Sequence, residues 1–242
     1  MKRLAGYWML LACAGWSGCA GTETGNPSFE GKLGYDAYSS RPGQVGLRSS
    51  AITRVESAWL VLGEVEFATR ETCEREAESD AHAPGLGAGD HVATQAPPTQ
   101  FTLGEDRYCE VRLAFERASS PPDGAPDELA GHSILIRGSL PDDRRFEVAS
   151  TYRGEVALRS AAKGFAFDAE QPSVVIGFDV ATWLGEVVWP SSGGDIRVDA
   201  DNNPAILLGF EARLAGGITL FRDANDDGML DFDPEELARG RD

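Results

Sequence analysis

The sequence predicts an all-β protein, an antiparallel β-sandwich of the immunoglobulin or transthyretin kind with long acidic loops and little helix. Apolar and polar side chains alternate in about nine or ten short segments, a pattern typical of strands with one buried face. Gly- and Pro-bearing turns separate these segments every 8–15 residues or so, as in a sandwich. Long amphipathic helices do not alternate with the strands, which argues against a parallel α/β fold.

The alternation also assigns the individual strands. The clearest one runs from Tyr108 to Phe115, where Glu110 and Arg112 interrupt apolar residues at every second position. Gly63 predicts a bulge or bend in an earlier strand. Residues 39–50 and 119–126 are expected loops, residues 70–100 an exposed acidic excursion, and residues 181–188 a short helical turn. Strands are expected at 28–38, 52–68, 100–103, 108–115, 133–140, 145–152, 154–158, 173–180, 206–214 and 217–221.

The composition limits the classes of partner. The chain has 242 residues, of which 42% are hydrophobic, so it can form a sizeable core. It carries 39 Asp and Glu against 22 Lys and Arg, a net charge of −17. Nucleic acids and anionic lipid headgroups attract clusters of Lys and Arg, so this charge argues against both as partners.

The N-terminus has the pattern of a secretory signal over residues 1–18. Lys2 and Arg3 precede an uncharged, largely apolar stretch, and the small residues Ser17 and Gly18 stand before Cys19. This arrangement resembles the lipobox of bacterial lipoproteins, which implies that Cys19 is diacylated and becomes the mature N-terminus. Lipidation at Cys13, ordinary cleavage and an uncleaved anchor remain as alternatives.

The residues after this cysteine also resemble those of lipoproteins. Residues 19–27 are small and polar, which suits a tether, and the run Gly-Thr-Glu-Thr-Gly-Asn-Pro at 21–27 is similar to the start of uncharacterised bacterial lipoproteins. Ala20 after the cysteine implies retention at the outer membrane. The resemblance therefore implies a cell-envelope protein, periplasmic or surface-exposed.

A wider resemblance covers residues 28–215. The stretches 58–67, 104–115 and 158–183 occur in an order similar to that of uncharacterised sandwich domains of bacterial lipoproteins. Such domains are of the domain-of-unknown-function kind, and the resemblance implies no known reaction. We expect residues 216–242, a strand followed by an Asp-rich loop, to pack on the same domain.

The cysteines predict one disulfide bond. Cleavage would remove Cys13 and acylation would occupy Cys19, which leaves Cys73 and Cys109 in an oxidising compartment. Two free buried thiols are the alternative.

The most specific chemical signal is an Asp-rich loop near the C-terminus. Acidic or amide side chains at alternate positions, followed by Gly228, resemble the first half of the calcium loop of EF-hand proteins. Leu230 is expected to face the core, and the bidentate Glu of that loop is replaced by Pro234. The alternative is a turn held by Asx hydrogen bonds. The predicted calcium ligands are Asp223, Asn225, Asp227, the carbonyl of Met229, and a closing carboxylate from Asp231, Asp233 or Glu235.

No nucleophile, base or phosphate-loop motif is present, and we expect no enzymatic activity. The sequence predicts a lipid-anchored, calcium-supported module with a structural or binding role and a protein or glycan partner. The first alternative is a subunit of an envelope assembly or export system, and the second is a lipoprotein hydrolase.

Overall fold

A computed structural model describes residues 28–38, 54–69, 73, 78–85, 87–92, 97–104, 107–160, 163–167, 170–185, 187–231 and 233–241. The proposed signal and tether, residues 1–27, lie outside these ranges. The described chain is mostly β-structure, as predicted. Its strands are β1 (Ser28–Tyr38), β2 (Arg54–Thr69), β3 (Glu78–Ala83), β4 (Gly87–Asp90), β5 (Thr99–Gly104), β6 (Arg107–Phe115), β7 (Ile134–Ser139), β8 (Arg145–Ser150), β9 (Gly154–Ser160), β10 (Phe165–Ala166), β11 (Val174–Asp179), β12 (Ile196–Val198), β13 (Ile218–Arg222) and β14 (Glu236–Gly240).

All fourteen strands belong to one sheet, in which the long path runs β12-β8-β7-β2-β6-β9-β14-β13-β11-β1-β5. The sheet is mixed, because β1 pairs with β11 and β12 with β8 in parallel, while the other pairs are antiparallel. It curls into a half-barrel, so that β5 at one end comes close to β3, which pairs with β2. The architecture thus differs from the expected sandwich of two antiparallel sheets.

The long strand β2 is where the curl begins. Its first half pairs with β7 and its second half with β6, and the register shifts between Leu62 and Val65. That shift surrounds Gly63, the position at which the sequence predicts a bulge. A bulge bends a strand and increases its twist, so it turns the two halves of the sheet toward each other.

The main core lies inside the curl. Phe67 stacks on Phe101 with ring centroids 5.0 Å apart and meets Tyr108 edge-on at 6.0 Å. The Tyr108 hydroxyl donates to the carbonyl oxygen of Gly104 (3.2 Å) and accepts from its N–H (3.1 Å), so the buried hydroxyl is satisfied. Trp183 is fully buried and donates its indole N–H to the carbonyl oxygen of Leu214 (2.9 Å).

Two helices pack beside the sheet. The first, α1 (Val180–Gly185), is the predicted short turn that carries Trp183. The second, α2 (Pro204–Glu211), corrects the prediction of a strand at 206–214. Pro204 stands at the start of α2, where its missing N–H costs nothing, and Leu207 and Phe210 are buried one helical turn apart. Within the described ranges no helix is long and apolar enough to span a bilayer.

Part of the segment at residues 70–100, which was expected to form an exposed acidic excursion, contributes strands to the sheet instead. Strands β3 and β4 both pair with β2, and Asp90 and His91 at the end of β4 are buried. The Asp90 carboxylate accepts the N–H groups of Ala58 and Val92 at 3.0 Å each, so it fixes this turn against β2.

The C-terminal strands lie inside the sheet. Strand β13 pairs with β11 and β14, and β14, which was not predicted, pairs with β9. The Asp-rich loop that joins β13 to β14 is therefore held at both ends by paired strands.

Candidate cation-binding loop

Cys73 and Cys109 form the predicted disulfide bond, with their Cα atoms 5.2 Å apart. Cys73 lies between β2 and β3, and Cys109 is in β6, so the bond ties this connection to the sheet. Cys19, the proposed lipidation site, lies outside the described residues.

The Asp-rich loop, residues 223–231, lies on the sheet face opposite the main core. Two glycines of the sheet allow it to come close. A Cβ atom on Gly34 of β1 would lie 2.4 Å from the carbonyl oxygen of Gly228, and one on Gly177 of β11 would lie 3.0 Å from the Leu230 side chain. Neither position can accept a larger residue without displacing its neighbours.

Leu230 fastens the loop to this face. Its side chain is buried in a small apolar cluster of its own, separate from the main core, together with Tyr38, Val175 and Phe221. The loop is therefore packed against the sheet by its eighth residue, and the residues before it are brought over β1.

Inside the loop, side-chain oxygens accept the loop's own backbone N–H groups. The Asp223 carboxylate accepts from Asp226 (2.9 Å) and from Gly228 (2.8 Å). Asn225 accepts from Asp227 (3.1 Å), and Asp227 accepts from Met229 (2.8 Å). These are Asx-type turns, and they orient the side chains at loop positions 1, 3 and 5.

Two positive φ angles close the turn. Gly228 has φ of 78° and Asp226 has φ of 62°. The left-handed region is costly for most residues, and Gly and Asp are among those that tolerate it best.

Asp36 of β1, which the sequence did not identify, is part of the same site. Its carboxylate accepts the N–H of Leu230 (3.3 Å). Burial raises the pKa of Asp36 above its ordinary value, and the negative charge of Asp227 raises it further. The pKa of Asp223 is raised for the same two reasons, burial first. The charge of Asp227 therefore acts on two partly dehydrated carboxylates, although in the described residues no three acidic side chains of this region bring their oxygens within 4.8 Å of one another.

The lysine next to this site pairs with a carboxylate other than those of Asp36, Asp223 and Asp227. Lys32 forms an ion pair with Asp226, and the Ser173 hydroxyl donates to the same side chain. The Lys32 hydrogen bond is the main reason that the pKa of Asp226 is lowered. In the part of the chain that the structure describes, no Lys or Arg pairs with Asp36, Asp223 or Asp227.

The remaining predicted ligands divide into two groups. Asp231 is half-buried and accepts a hydrogen bond from Asn225 (3.0 Å), so it belongs to the loop. Asp233 is exposed, and Glu235 is engaged by Arg222 at 2.7 Å. Asp223, Asn225, Asp227, Met229 and Asp231 thus lie in one turn, but no three carboxylates of it have oxygens within 4.8 Å of one another in the described chain, and Glu235 is directed elsewhere.

A second acidic segment, residues 195–203, makes a structural turn. Asp199 is buried and accepts the N–H groups of Asp201 (2.9 Å) and Asn202 (2.6 Å). Burial alone would raise its pKa, but the hydrogen bonds from Arg197 and Asn202 outweigh that effect and lower the pKa to about 2. This carboxylate is satisfied by its own turn and by Arg197 (2.6 Å).

Comparison with known proteins assigns no family to the chain. No family model and no curated protein matches it. A solved structure of MbnP from Methylosinus trichosporium is similar over 89% of this chain and 100% of that one, with 13% sequence identity and a TM-score of 0.42.

Proposed function

We propose that this chain is a lipid-anchored protein of the cell envelope, held at the outer membrane through Cys19. It acts as a non-catalytic structural or binding module, and one calcium ion stabilises the loop at residues 223–231. The signal pattern and the cysteine at its end support export and anchoring. The Cys73–Cys109 disulfide supports an oxidising compartment.

The observation that carries the calcium proposal is that Asp36, Asp223 and Asp227 have no Lys or Arg partner among the described residues. The pKa values of Asp36 and Asp223 are raised, first by burial and then by the negative charge of Asp227. A dehydrated negative charge is costly unless a cation or hydrogen bonds compensate for it. A bound cation would lower the pKa of each carboxylate.

The donor atoms in the loop fit calcium better than other cations. They are all oxygens, and Ca²⁺ takes six to eight oxygen ligands in flexible geometry. The loop offers Asp223, Asn225, Asp227 and Asp231, with the Met229 carbonyl at the seventh position. Because no bidentate glutamate closes the loop, we expect a dissociation constant of about 10⁻⁴–10⁻³ M, the range of extracellular modules.

Calcium should therefore raise the melting temperature of the mature protein. At about 10 mM calcium, this affinity corresponds to about 1–3 kcal/mol of stabilisation. For a domain of this size, that energy raises Tm by about 3–10 °C. Differential scanning calorimetry with and without chelator measures the shift.

Asp227→Asn is the matched variant for this experiment. It keeps the acceptor for the Met229 N–H and removes a ligand charge that repels Asp36 and Asp223, so the calcium-free Tm should equal or slightly exceed that of the wild type while the calcium-induced rise is lost. Asp123→Asn, which removes the same charge from an exposed turn, is the control and should respond fully. An unchanged wild-type Tm at about 10 mM calcium would refute the calcium proposal.

The anchor is tested separately in a Gram-negative host. Cys19→Ser should release the protein from the membrane fraction and shift its electrophoretic mobility, since two acyl chains are needed for stable anchoring. A Cys19→Ser protein that still fractionates with membranes, at unchanged mobility, would contradict lipidation at this residue.

A further inference from the structure

A second group of potential metal ligands lies on β2 and β3, in a different part of the sheet from the calcium loop. Glu64 and Glu66 are two residues apart on β2, and His82 of β3 stands directly opposite Glu66 in the antiparallel pair. One ligand atom from each side chain lies within 4.8 Å of the other two. The closest pair is His82 Nδ1 and Glu64 Oε1, at 2.9 Å.

The backbone under this group is tightly held. A Cβ atom on Gly85 would lie 1.9 Å from the carbonyl oxygen of Gly63, so the chain leaving β3 passes directly over the residue before Glu64. The Cys73–Cys109 bond holds Cys73, which precedes β3 in the chain, against β6.

The donor set fits a divalent transition metal of the zinc type. Zn²⁺ binds imidazole nitrogen and carboxylate oxygen at about 2.0–2.2 Å, so tetrahedral ligand atoms lie about 3.4 Å apart. Side chains already within 4.8 Å reach that spacing through small rotamer changes. The His82 and Glu64 side chains are 48% and 58% exposed, which leaves room for water as a further ligand.

The surrounding charge stays negative. Arg112 contacts Glu66 at 3.5 Å, but it also serves Glu110 at 2.7 Å and Glu155 at 3.8 Å. Arg159 also pairs with Glu110 at 3.3 Å, so two guanidinium groups contact three carboxylates and an acidic excess remains next to Glu64. Such an excess favours a cation at this position.

We propose that Glu64, Glu66 and His82 form a binding site for a divalent transition-metal ion of the zinc type. The site does not depend on the calcium loop, because the donor set includes an imidazole nitrogen, which Ca²⁺ does not select. The chain then carries two cation sites of different chemistry on one sheet.

Zinc binding is measured by isothermal titration calorimetry on the mature protein in the presence of excess calcium, which competes with zinc for the carboxylates of the loop. The wild type should bind one zinc ion. His82→Ala should weaken binding at least about 10-fold, the smallest loss usual for even an outer partner of a metal site. His132→Ala, which removes a histidine elsewhere on the surface, is the control and should leave the affinity unchanged.

Glu66→Gln separates ligation from simple attraction. It keeps the shape of the side chain and should weaken zinc binding at least about 10-fold, whereas Glu155→Gln, a change of the same charge nearby, should have a much smaller effect. Unchanged zinc affinity in His82→Ala, or equal losses in the two glutamine variants, would overturn the proposal. Both outcomes are independent of whether calcium binds to the loop.

Discussion

The Asp36 side chain is expected to affect the stability of the Asp-rich loop in the absence of calcium. Because its pKa is raised by burial and by Asp227, its ionised form destabilises the calcium-free fold at neutral pH. Asp36→Asn keeps an acceptor for the Leu230 N–H and removes the charge. We expect the calcium-free variant to melt a few degrees above the wild type, and its rise on adding calcium to be smaller. A lower Tm without calcium would contradict this role.

Asp36 and Asp223 also predict that stability depends on pH with opposite sign in the calcium-free and the calcium-bound protein. In the calcium-free protein, Asp36 and Asp223 have folded-state pKa values above the ordinary 3.8, so their contribution to stability is fully present below pH 3.8 and is lost as pH rises through the folded values. Bound calcium requires Asp223 to be ionised and favours the ionised form of Asp36, so the calcium-dependent part of Tm should instead fall on acidification. Melting curves between neutral pH and about pH 4, with calcium or chelator, measure both trends. A calcium-induced rise that is independent of pH would contradict the assignment.

The disulfide and the Asp-rich turn could be predicted from the sequence, because each depends on the number of cysteines or on local spacing. Cys73 and Cys109 follow from counting the cysteines, and the Asp223–Asp231 turn follows from its spacing and from Gly228. Asp36 could not be identified, because a lone acid in an alternating strand is typical of an exposed face. Its only signal is the pair of glycines, Gly34 and Gly177, which become informative once the pairing of β1 with β11 is known.

At the scale of elements, the disulfide should contribute much of the stability of the β2–β3 region. It joins residues 36 positions apart, and closing a loop of that length in the unfolded chain is worth about 3–4 kcal/mol in the chain-entropy model. The double variant Cys73→Ser/Cys109→Ser should lose about that free energy of unfolding in urea titrations. Equal stability of the variant and the oxidised protein would contradict this contribution.

Most strands were predicted to within a few residues, because alternation reports on a buried face directly. Helix α2 was mistaken for a strand since its apolar residues 206–208 are contiguous, and a short apolar run does not distinguish the two structures. The start signal was Pro204, at the first helical position. Strands β3 and β4 were missed because their small and acidic residues lack an apolar pattern, and their pairing with β2 determines their structure.

At the scale of the whole molecule, strand pattern predicts β-content but not which strands become neighbours. The parallel pairing of β1 with β11 joins residues more than a hundred positions apart, and nothing local to either strand encodes it. That pairing changes the expected antiparallel sandwich into a mixed, curled sheet. It also creates the face on which the Asp-rich loop lies.

The acidic residues responsible for the net charge of −17 have several structural roles. Part of the acidic excess is paired within the sheet, as around Arg112, and part is used by Asp199 to hold a turn. Further carboxylates lie at the two proposed cation sites, and others, such as Asp123 and Asp127, are exposed elsewhere. We therefore expect divalent cations, rather than a polyanion, to be the charged partners of this fold.

The central claim, that the loop at residues 223–231 binds calcium, is tested most directly at the Gly228 amide. This N–H donates to Asp223 at 2.8 Å, so a cation on that carboxylate must change its environment. In ¹H–¹⁵N NMR spectra, calcium should shift the Gly228 resonance saturably, with a midpoint of about 10⁻⁴–10⁻³ M, and the shift should be lost in Asp227→Asn. A Gly228 resonance that does not move with calcium, or that moves equally in the variant, would contradict the account.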